Sequence, residues 1–271
     1  MKDPKLPTPA LEASHLTLAY ESRQVAHDLD VPVPDGAVTV ILGPNACGKS
    51  TLLRALARLL RPSAGRVLLH GQDVQRLAPK ELARRLGLLP QSSVAPFGIT
   101  VADLVGRGRF PHQRMLQQWS LADEEAVKRA MVATGVTELA DRAVEELSGG
   151  QRQRVWIAML LAQDTPVMLL DEPTTYLDIS HQLEVLELCR RLNREEGRTL
   201  VLVLHDLNQA ARFADHLIVM REGAVAAAGA PSEVLTEQLL RDVFRLEARV
   251  IADPVFGTPL VIPIAARDGD A

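Results

Sequence analysis

The segment Gly43-Pro44-Asn45-Ala46-Cys47-Gly48-Lys49-Ser50 sets two glycines, a lysine and a hydroxyl at the spacing G-x-x-x-x-G-K-S, followed by Thr51. Glycines at those positions let the backbone wrap tightly, so that successive N–H groups point at phosphate oxygens. Lys49 adds a mobile positive charge for β- and γ-phosphates, and the Ser50 hydroxyl can ligate Mg²⁺. This is the chemistry of a loop that holds a nucleoside triphosphate. A second polar cluster, Asp171-Glu172, ends the apolar run Val167-Met168-Leu169-Leu170. A carboxylate such as Asp171 at a strand end can hold Mg²⁺ through water. The adjacent Glu172 is the candidate general base that polarises an attacking water.

Groups so far apart in the chain meet only if strands and helices bring them to one edge. Val38–Leu42 is a short apolar, β-branched run ending at Gly43 and reads as a buried strand. Leu52, Leu53, Leu56, Leu59 and Leu60 then recur at helical spacing, which predicts a helix over Lys49–Leu60, stopped by Pro62. Arg66–Leu69 and Leu86–Leu89 read as further strands. Residues from about 98 to 163 carry mostly helical patterns, including Asp123–Thr134 and Gly150–Gln163. The strand pattern resumes at Val167–Leu170. A helix over Ile179–Asn193, a strand over Thr199–Leu204 ending at His205, and a hairpin of Leu217–Met220 with Ala224–Ala228 around Glu222-Gly223 follow. Three core strands thus deliver polar groups at their carboxyl ends, where open α/β sheets bind ligands.

The 271 residues suit one large α/β domain, or one domain with an inserted lobe. Aromatics are only 3% of a chain that is 47% hydrophobic, so the core must be built from Leu, Val, Ile and Ala. A net charge of −4 argues against a general grip on nucleic acid. No apolar run reaches the length of a membrane span, and Met1-Lys2-Asp3-Pro4-Lys5-Leu6-Pro7 lacks the apolar centre of a signal peptide. Cys47 and Cys189 are the only cysteines, which implies no disulfide framework and a reducing compartment. A place near a helix N-terminus is expected to lower the Cys47 thiol pKa. If the protein works on a membrane, another chain must hold it there.

Leu147-Ser148-Gly149-Gly150-Gln151, followed by Arg152-Gln153-Arg154, resembles the signature of ATP-binding cassette proteins. The resemblance implies a P-loop cassette of class α/β: a mainly parallel core sheet, an N-terminal antiparallel β subdomain and an inserted α-helical subdomain at about 98–163. It covers residues 12–264, with 1–11 and 265–271 expected to be flexible tails. It implies ATP and Mg²⁺ as ligands and a dimer of ATPase subunits in which each signature closes over ATP held by the other copy. In that picture Gly43 through Thr51 cradle the phosphates, and Ser50, Asp171 and Gln91 serve the metal, partly through water. His205 resembles the switch histidine that contacts the γ-phosphate, and Gln91 the glutamine that hinges the helical insert. Tyr20 stands where relatives carry an aromatic that stacks on adenine. Ser148, Gly149, Gly150 and Gln151 reach the γ-phosphate of the opposite copy, and Asp178 takes its role in the loop between the copies.

The loop in its Asn45-Ala46-Cys47 form, the run Thr100–Gln113, the Thr175–Asp178 segment and the tail Asp253-Pro254…Gly257-Thr258-Pro259 resemble ATPase subunits of bacterial iron-siderophore importers. Cobalamin and haem importers are similar as well. Such a protein would sit on the cytoplasmic side of the bacterial cell membrane against integral-membrane permease subunits. A periplasmic or lipoprotein siderophore-binding protein would be an indirect partner, and no nucleic acid is expected. Arg107, Arg109, His112 and Arg114 are candidates to meet the permease. The alternative is a soluble cassette ATPase, for example of iron–sulfur assembly.

Overall fold

The computed structural model describes residues 9–20, 23–113 and 119–266. In chain order the elements are β1 (Pro9–Tyr20), β2 (Arg23–Pro34), β3 (Val38–Leu42), α1 (Lys49–Leu56), β4 (Ala64–Leu69), β5 (Gln72–Asp73), α2 (Pro79–Arg85), β6 (Leu86–Leu89), α3 (Val101–Gly106), α4 (Leu121–Ala133), α5 (Gly149–Ala162), β7 (Val167–Asp171) and α6 (Ile179–Glu196). They continue with β8 (Thr199–Val203), α7 (Leu207–Phe213), β9 (His216–Arg221), β10 (Ala224–Gly229), α8 (Pro231–Val234), α9 (Glu237–Phe244), β11 (Leu246–Ala252) and β12 (Pro259–Ala266). The chain folds as two compact units. One holds the residues up to Arg76 and those from Thr199 onward, and the other holds Leu77–Arg198.

In the first unit β3 is the axis. It pairs in parallel with β8, Val38 opposite Leu200 and Ile41 opposite Val203, and with β9, Thr39 opposite His216 and Leu42 opposite Val219. All five residues of β3 and of β8 are buried, as a parallel strand covered on both faces requires. The β9–β10 hairpin turns through Glu222 and Gly223, both at positive φ (50° and 78°), the conformation that tight hairpins favour. The antiparallel β subdomain is the sheet β2-β1-β4-β5. A separate hairpin of β11 and β12 ends the fold.

The second unit pairs β6 with β7 in parallel, from Leu86 opposite Val167 to Leu89 opposite Leu170. Helices α3, α4 and α5 pack together, and α4 and α5 both start on a serine whose side chain closes a capping box. This unit is wider than the helical insert expected at 98–163, because β6, β7 and α6 belong to the same compact body.

Several boundaries differ from the sequence expectation. β1 begins at Pro9, and Leu11 is fully buried, so residues 9–11 are strand rather than tail; Ala265 likewise pairs with Glu247 in β12. Helix α1 stops at Leu56, four residues before the expected end. Arg58 adopts φ 59°, its N–H donates to Ala55 O, and the Leu59 N–H donates to Arg54 O at 2.8 Å, which is the Schellman geometry. The Arg58 guanidinium secures this turn by donating to Val74 O at 2.9 Å. Leu59 is therefore exposed despite its helical spacing.

Candidate active site

The first unit carries the phosphate loop. It leaves β3 at Gly43, passes Ala46 at φ 61° and Gly48 at φ 104°, and enters α1 at Lys49. Gly43 cannot be another residue: a Cβ there would lie 2.3 Å from Met220 O and 2.7 Å from Cys47 Sγ. Thr100, Ser120, Ser148, Asp178, Asp206 and Thr236 cap their helices with a side-chain oxygen, whereas α1 has no side-chain cap and no acidic residue in its first turn. A helix N-terminus left so positive suits an external anion. Lys49 is only 6% exposed and its ammonium donates to Gly43 O and Pro44 O, each at 2.8 Å. These features fit the phosphates of a nucleotide.

Cys47 departs from expectation. Burial raises its thiol pKa, and the charge and backbone of Lys49 only partly oppose this. The helix N-terminus does not make it a reactive thiolate. Tyr20, at the end of β1, is exposed, and Arg54 of α1 reaches its phenolic oxygen at 3.4 Å. His205 is exposed just after β8, and Asp206 behind it caps α7 through N–H groups of Asn208 and Gln209, each at 2.8 Å.

The second unit carries the candidate acidic residues. Asp171 is the last residue of β7 and is 2% exposed. Glu172 follows at φ 53°, a left-handed backbone rare for a residue with a side chain, and Thr175 Oγ1 donates to its Oε2 at 3.2 Å. Gln153 of α5 donates to Pro173 O at 3.1 Å and ties the signature helix to this turn. Gln91 lies exposed in the loop after β6.

Ser148 caps α5. Its hydroxyl accepts the Gln151 N–H at 3.3 Å, and Gln151 Oε1 accepts the Ser148 N–H at 3.1 Å. Gly149 and Gly150 form the first turn, where a Cβ on Gly150 would touch Leu177 at 3.2 Å. The Thr174–Asp178 loop therefore packs under the signature glycines. Asp178 caps α6, accepting from His181 N–H and from the Ser180 hydroxyl, and these bonds hold its pKa down at about 2. Its role as a helix cap was not foreseen, although Asp ahead of an apolar-periodic run signals one.

Among the residues expected to meet a membrane partner, Arg107 is exposed. Arg109 is not available: it is 6% exposed, pairs with Asp123 at 2.8 Å and donates to Ala162 O at 2.8 Å. His112 bonds Gln163 O at 2.8 Å, and Arg114 lies outside the described residues. Among the described residues no group of three His, Cys, Asp or Glu could cage a metal, and no helix is long and apolar enough to cross a membrane.

A glycine-wrapped loop running from a buried parallel strand into an uncapped helix defines a P-loop α/β nucleotide-binding protein. The profile of the ABC transporter family matches residues 26–175. The chain belongs to that family. It is 58% identical over 254 residues to the ferric enterobactin transport ATP-binding protein FepC of Escherichia coli K12, covering 94% of each chain. It is 54% identical to the petrobactin import ATP-binding protein FpuD of Bacillus anthracis, covering 94% of this chain and 93% of that one. Its structure resembles the ATP-binding cassette MJ0796, solved as a dimer in a post-hydrolysis state with ADP and Pi. The TM-score is 0.73, with 26% identity and coverage of 81% of this chain and 98% of that one.

Proposed function

We propose that the protein is the ATP-hydrolysing subunit of a ferric siderophore importer, working as a homodimer on the cytoplasmic face of integral-membrane permease subunits. The observation that carries this reading is the 58% identity to a ferric enterobactin transport ATPase along nearly the whole of both chains. Relatives at similar identity serve a different siderophore, so the class of solute is supported and the individual compound is left to the permease and binding protein.

In this reading Tyr20 stacks on adenine and the N–H groups from Gly43 to Thr51 hold the phosphates. Lys49 turns its ammonium from the loop carbonyls to the β- and γ-phosphates. Ser50 and Asp171, with Gln91, would hold Mg²⁺, which would neutralise phosphate charge in the transition state. Glu172 accepts a proton from the attacking water as its oxygen bonds to the γ-phosphorus. The bond to the bridging oxygen breaks, leaving ADP and phosphate. His205 donates to the γ-phosphate and marks its presence. Ser148 and Gly150 of the second copy close over the same phosphate, and Asp178 lies in the loop between the copies. Closure drives the permease, and hydrolysis releases it.

The test is uptake of ⁵⁵Fe-labelled siderophores by vesicles reconstituted with the cognate permease and binding protein. Uptake should require ATP inside and fail with Glu172→Gln. ATP hydrolysis without uptake of any ferric siderophore, alongside uptake of cobalamin or haem, would overturn the solute class while leaving the ATPase reading intact.

A further inference from the structure

Helix α7 has seven residues and follows His205 directly, so it is too short to hold its own geometry in water. Asp206 caps its first turn, Ala210, Ala211 and Phe213 are buried, and two further side chains tie it to the C-terminal hairpin. Asn208 and Arg212, four residues apart, lie on one face of α7. The side-chain amide of Asn208 copies both hydrogen bonds of a β-bridge: the Val261 N–H donates to Asn208 Oδ1 at 2.7 Å, and Asn208 Nδ2 donates to Val261 O at 3.1 Å. Val261 lies in β12 and is 3% exposed, which shelters the pair from competing water. One turn further on, the Arg212 guanidinium stacks over Phe256 at 3.9 Å from the ring centroid.

Both partners are themselves held. Phe256 lies in a turn where Asp253 Oδ1 accepts the Val255 and Phe256 N–H groups at 2.7 and 3.0 Å. β11 is tied to α9 through Glu237, whose Oε1 accepts the Val250 N–H at 3.4 Å and pairs with Arg249 at 3.5 Å. The hairpin is therefore a fixed body against which α7 is set at two points, and both points lie within eight residues of His205.

We propose that Asn208 is a positioning residue for ATP hydrolysis: through its paired hydrogen bonds to Val261 it makes the C-terminal hairpin the brace that fixes α7 and, with it, His205. This rests on His205 as the γ-phosphate contact. The contact is made at a single side chain at the head of α7, so a small rotation of the helix moves the imidazole off the phosphate. Nucleotide binding, carried by the phosphate loop and Lys49, does not depend on that angle.

Steady-state hydrolysis by the full-length chain with its permease tests this, with Asn208→Ala, Phe256→Leu and His205→Ala run side by side. Asn208→Ala should lower kcat about five- to tenfold, as expected when an orienting hydrogen bond worth ~1 kcal/mol is lost. KM for ATP should change less than about twofold, because uniform binding is untouched. Amide exchange should rise in the peptide covering His205–Phe213 and stay unchanged in that covering Gly43–Leu56. Phe256→Leu should shift both readouts the same way by less, and it serves if Asn208→Ala does not fold. An unchanged kcat, a lower kcat with unchanged exchange at 205–213, or KM rising as far as kcat falls with exchange raised everywhere would each overturn the proposal. Wild-type turnover in His205→Ala overturns the assignment of His205 and the proposal with it. Loss in His205→Ala with normal turnover in Asn208→Ala overturns the proposal alone.

Discussion

Thr175 holds Glu172 twice: its hydroxyl donates to Glu172 Oε2 at 3.2 Å, and its N–H donates to Glu172 O at 3.2 Å. The turn so formed keeps Glu172 in a left-handed backbone at the end of a fully buried strand. Such a conformation costs on the order of 1–2 kcal/mol in a residue with a Cβ and persists only where surrounding bonds enforce it. A carboxylate oriented in this way suits a general base.

Glu172→Gln should keep ATP affinity near wild type and lower turnover by about two orders of magnitude or more, the usual contribution of a positioned base. Thr175→Val removes the hydroxyl without changing volume much, and should cost only severalfold through the loss of ~1 kcal/mol of orientation. Phosphate release and nucleotide titration separate the two effects. Near-normal turnover in Glu172→Gln would remove Glu172 from this role.

Lys49 bonds its own loop through two carbonyls and is almost wholly buried. Lys49→Ala should weaken nucleotide binding about tenfold or more, since a charge-assisted contact contributes about 1.5–3 kcal/mol. Labelled-nucleotide binding measures this, and unchanged affinity would contradict the phosphate-loop assignment.

The loop between β3 and α1, the place of Asp171 and Glu172 at the end of β7 and the alternation of strand and helix are legible because each rests on local spacing. Gly43 ends an apolar run, and Lys49 opens a leucine-periodic helix. What was not legible depends on partners distant in sequence. The spacing of Leu59 and Leu60 continues the helix, yet Arg58 finds Val74 O and turns the chain out. Arg109 reads as one charge in an exposed basic run, but Asp123 and Ala162 O receive it in the interior. In sequence Cys47 is a thiol ahead of a helix, whereas the burial that raises its pKa comes from the fold around it. Asn208, in His205-Asp206-Leu207-Asn208, gave no signal at all, because its partner Val261 lies 53 residues away.

The two thiols differ in depth. Burial pushes Cys189 up to about 12, and Cys47 is also raised, though Lys49 holds it back in part. Neither is a thiolate at neutral pH, so brief alkylation of native protein at pH 7.5 should be slow at both. It should favour Cys47, and MgATP should protect Cys47 by covering the loop. Mass spectrometry decides; faster labelling at Cys189 would contradict the order.

The Arg109–Asp123 pair should make stability sensitive to acid. Burial of Asp123 opposes its ionisation, but hydrogen bonds from the Ser120 hydroxyl and from Arg109 outweigh it and leave the pKa lowered. A lowered carboxylate binds protons less readily when folded than when unfolded. Its contribution is therefore present above the unfolded value of about 3.9 and lost as pH falls through the folded value. Arg109→Met should destabilise by about 3–5 kcal/mol at pH 7, because a buried charge loses its partner. In urea unfolding from pH 7 to pH 3, the gap between wild type and Asp123→Asn should narrow below about pH 4; a constant gap would show that Asp123 is not the group responsible.

The division of chemistry along the chain predicts complementation between two inactive variants. Lys49→Ala should abolish hydrolysis through its own phosphate loop, and Ser148→Arg should abolish it by placing a long side chain where a γ-phosphate must approach the signature. Ser148 also caps α5, so Ser148→Arg should lose about 1 kcal/mol of stability as well, and its melting temperature must be shown to leave it folded at the assay temperature. Mixed, the two chains form some heterodimers. In these, one site joins the intact loop of Ser148→Arg to the intact signature of Lys49→Ala, while the other site carries both defects. Hydrolysis by the mixture should therefore exceed that of either variant at equal total protein, by up to about a quarter of wild type if random pairing leaves one good site in half the dimers. If each chain instead completes its own site, the mixture should show only the mean of the two variants. That result, together with full activity of Ser148→Arg alone, would remove the signature from the active site of the second copy.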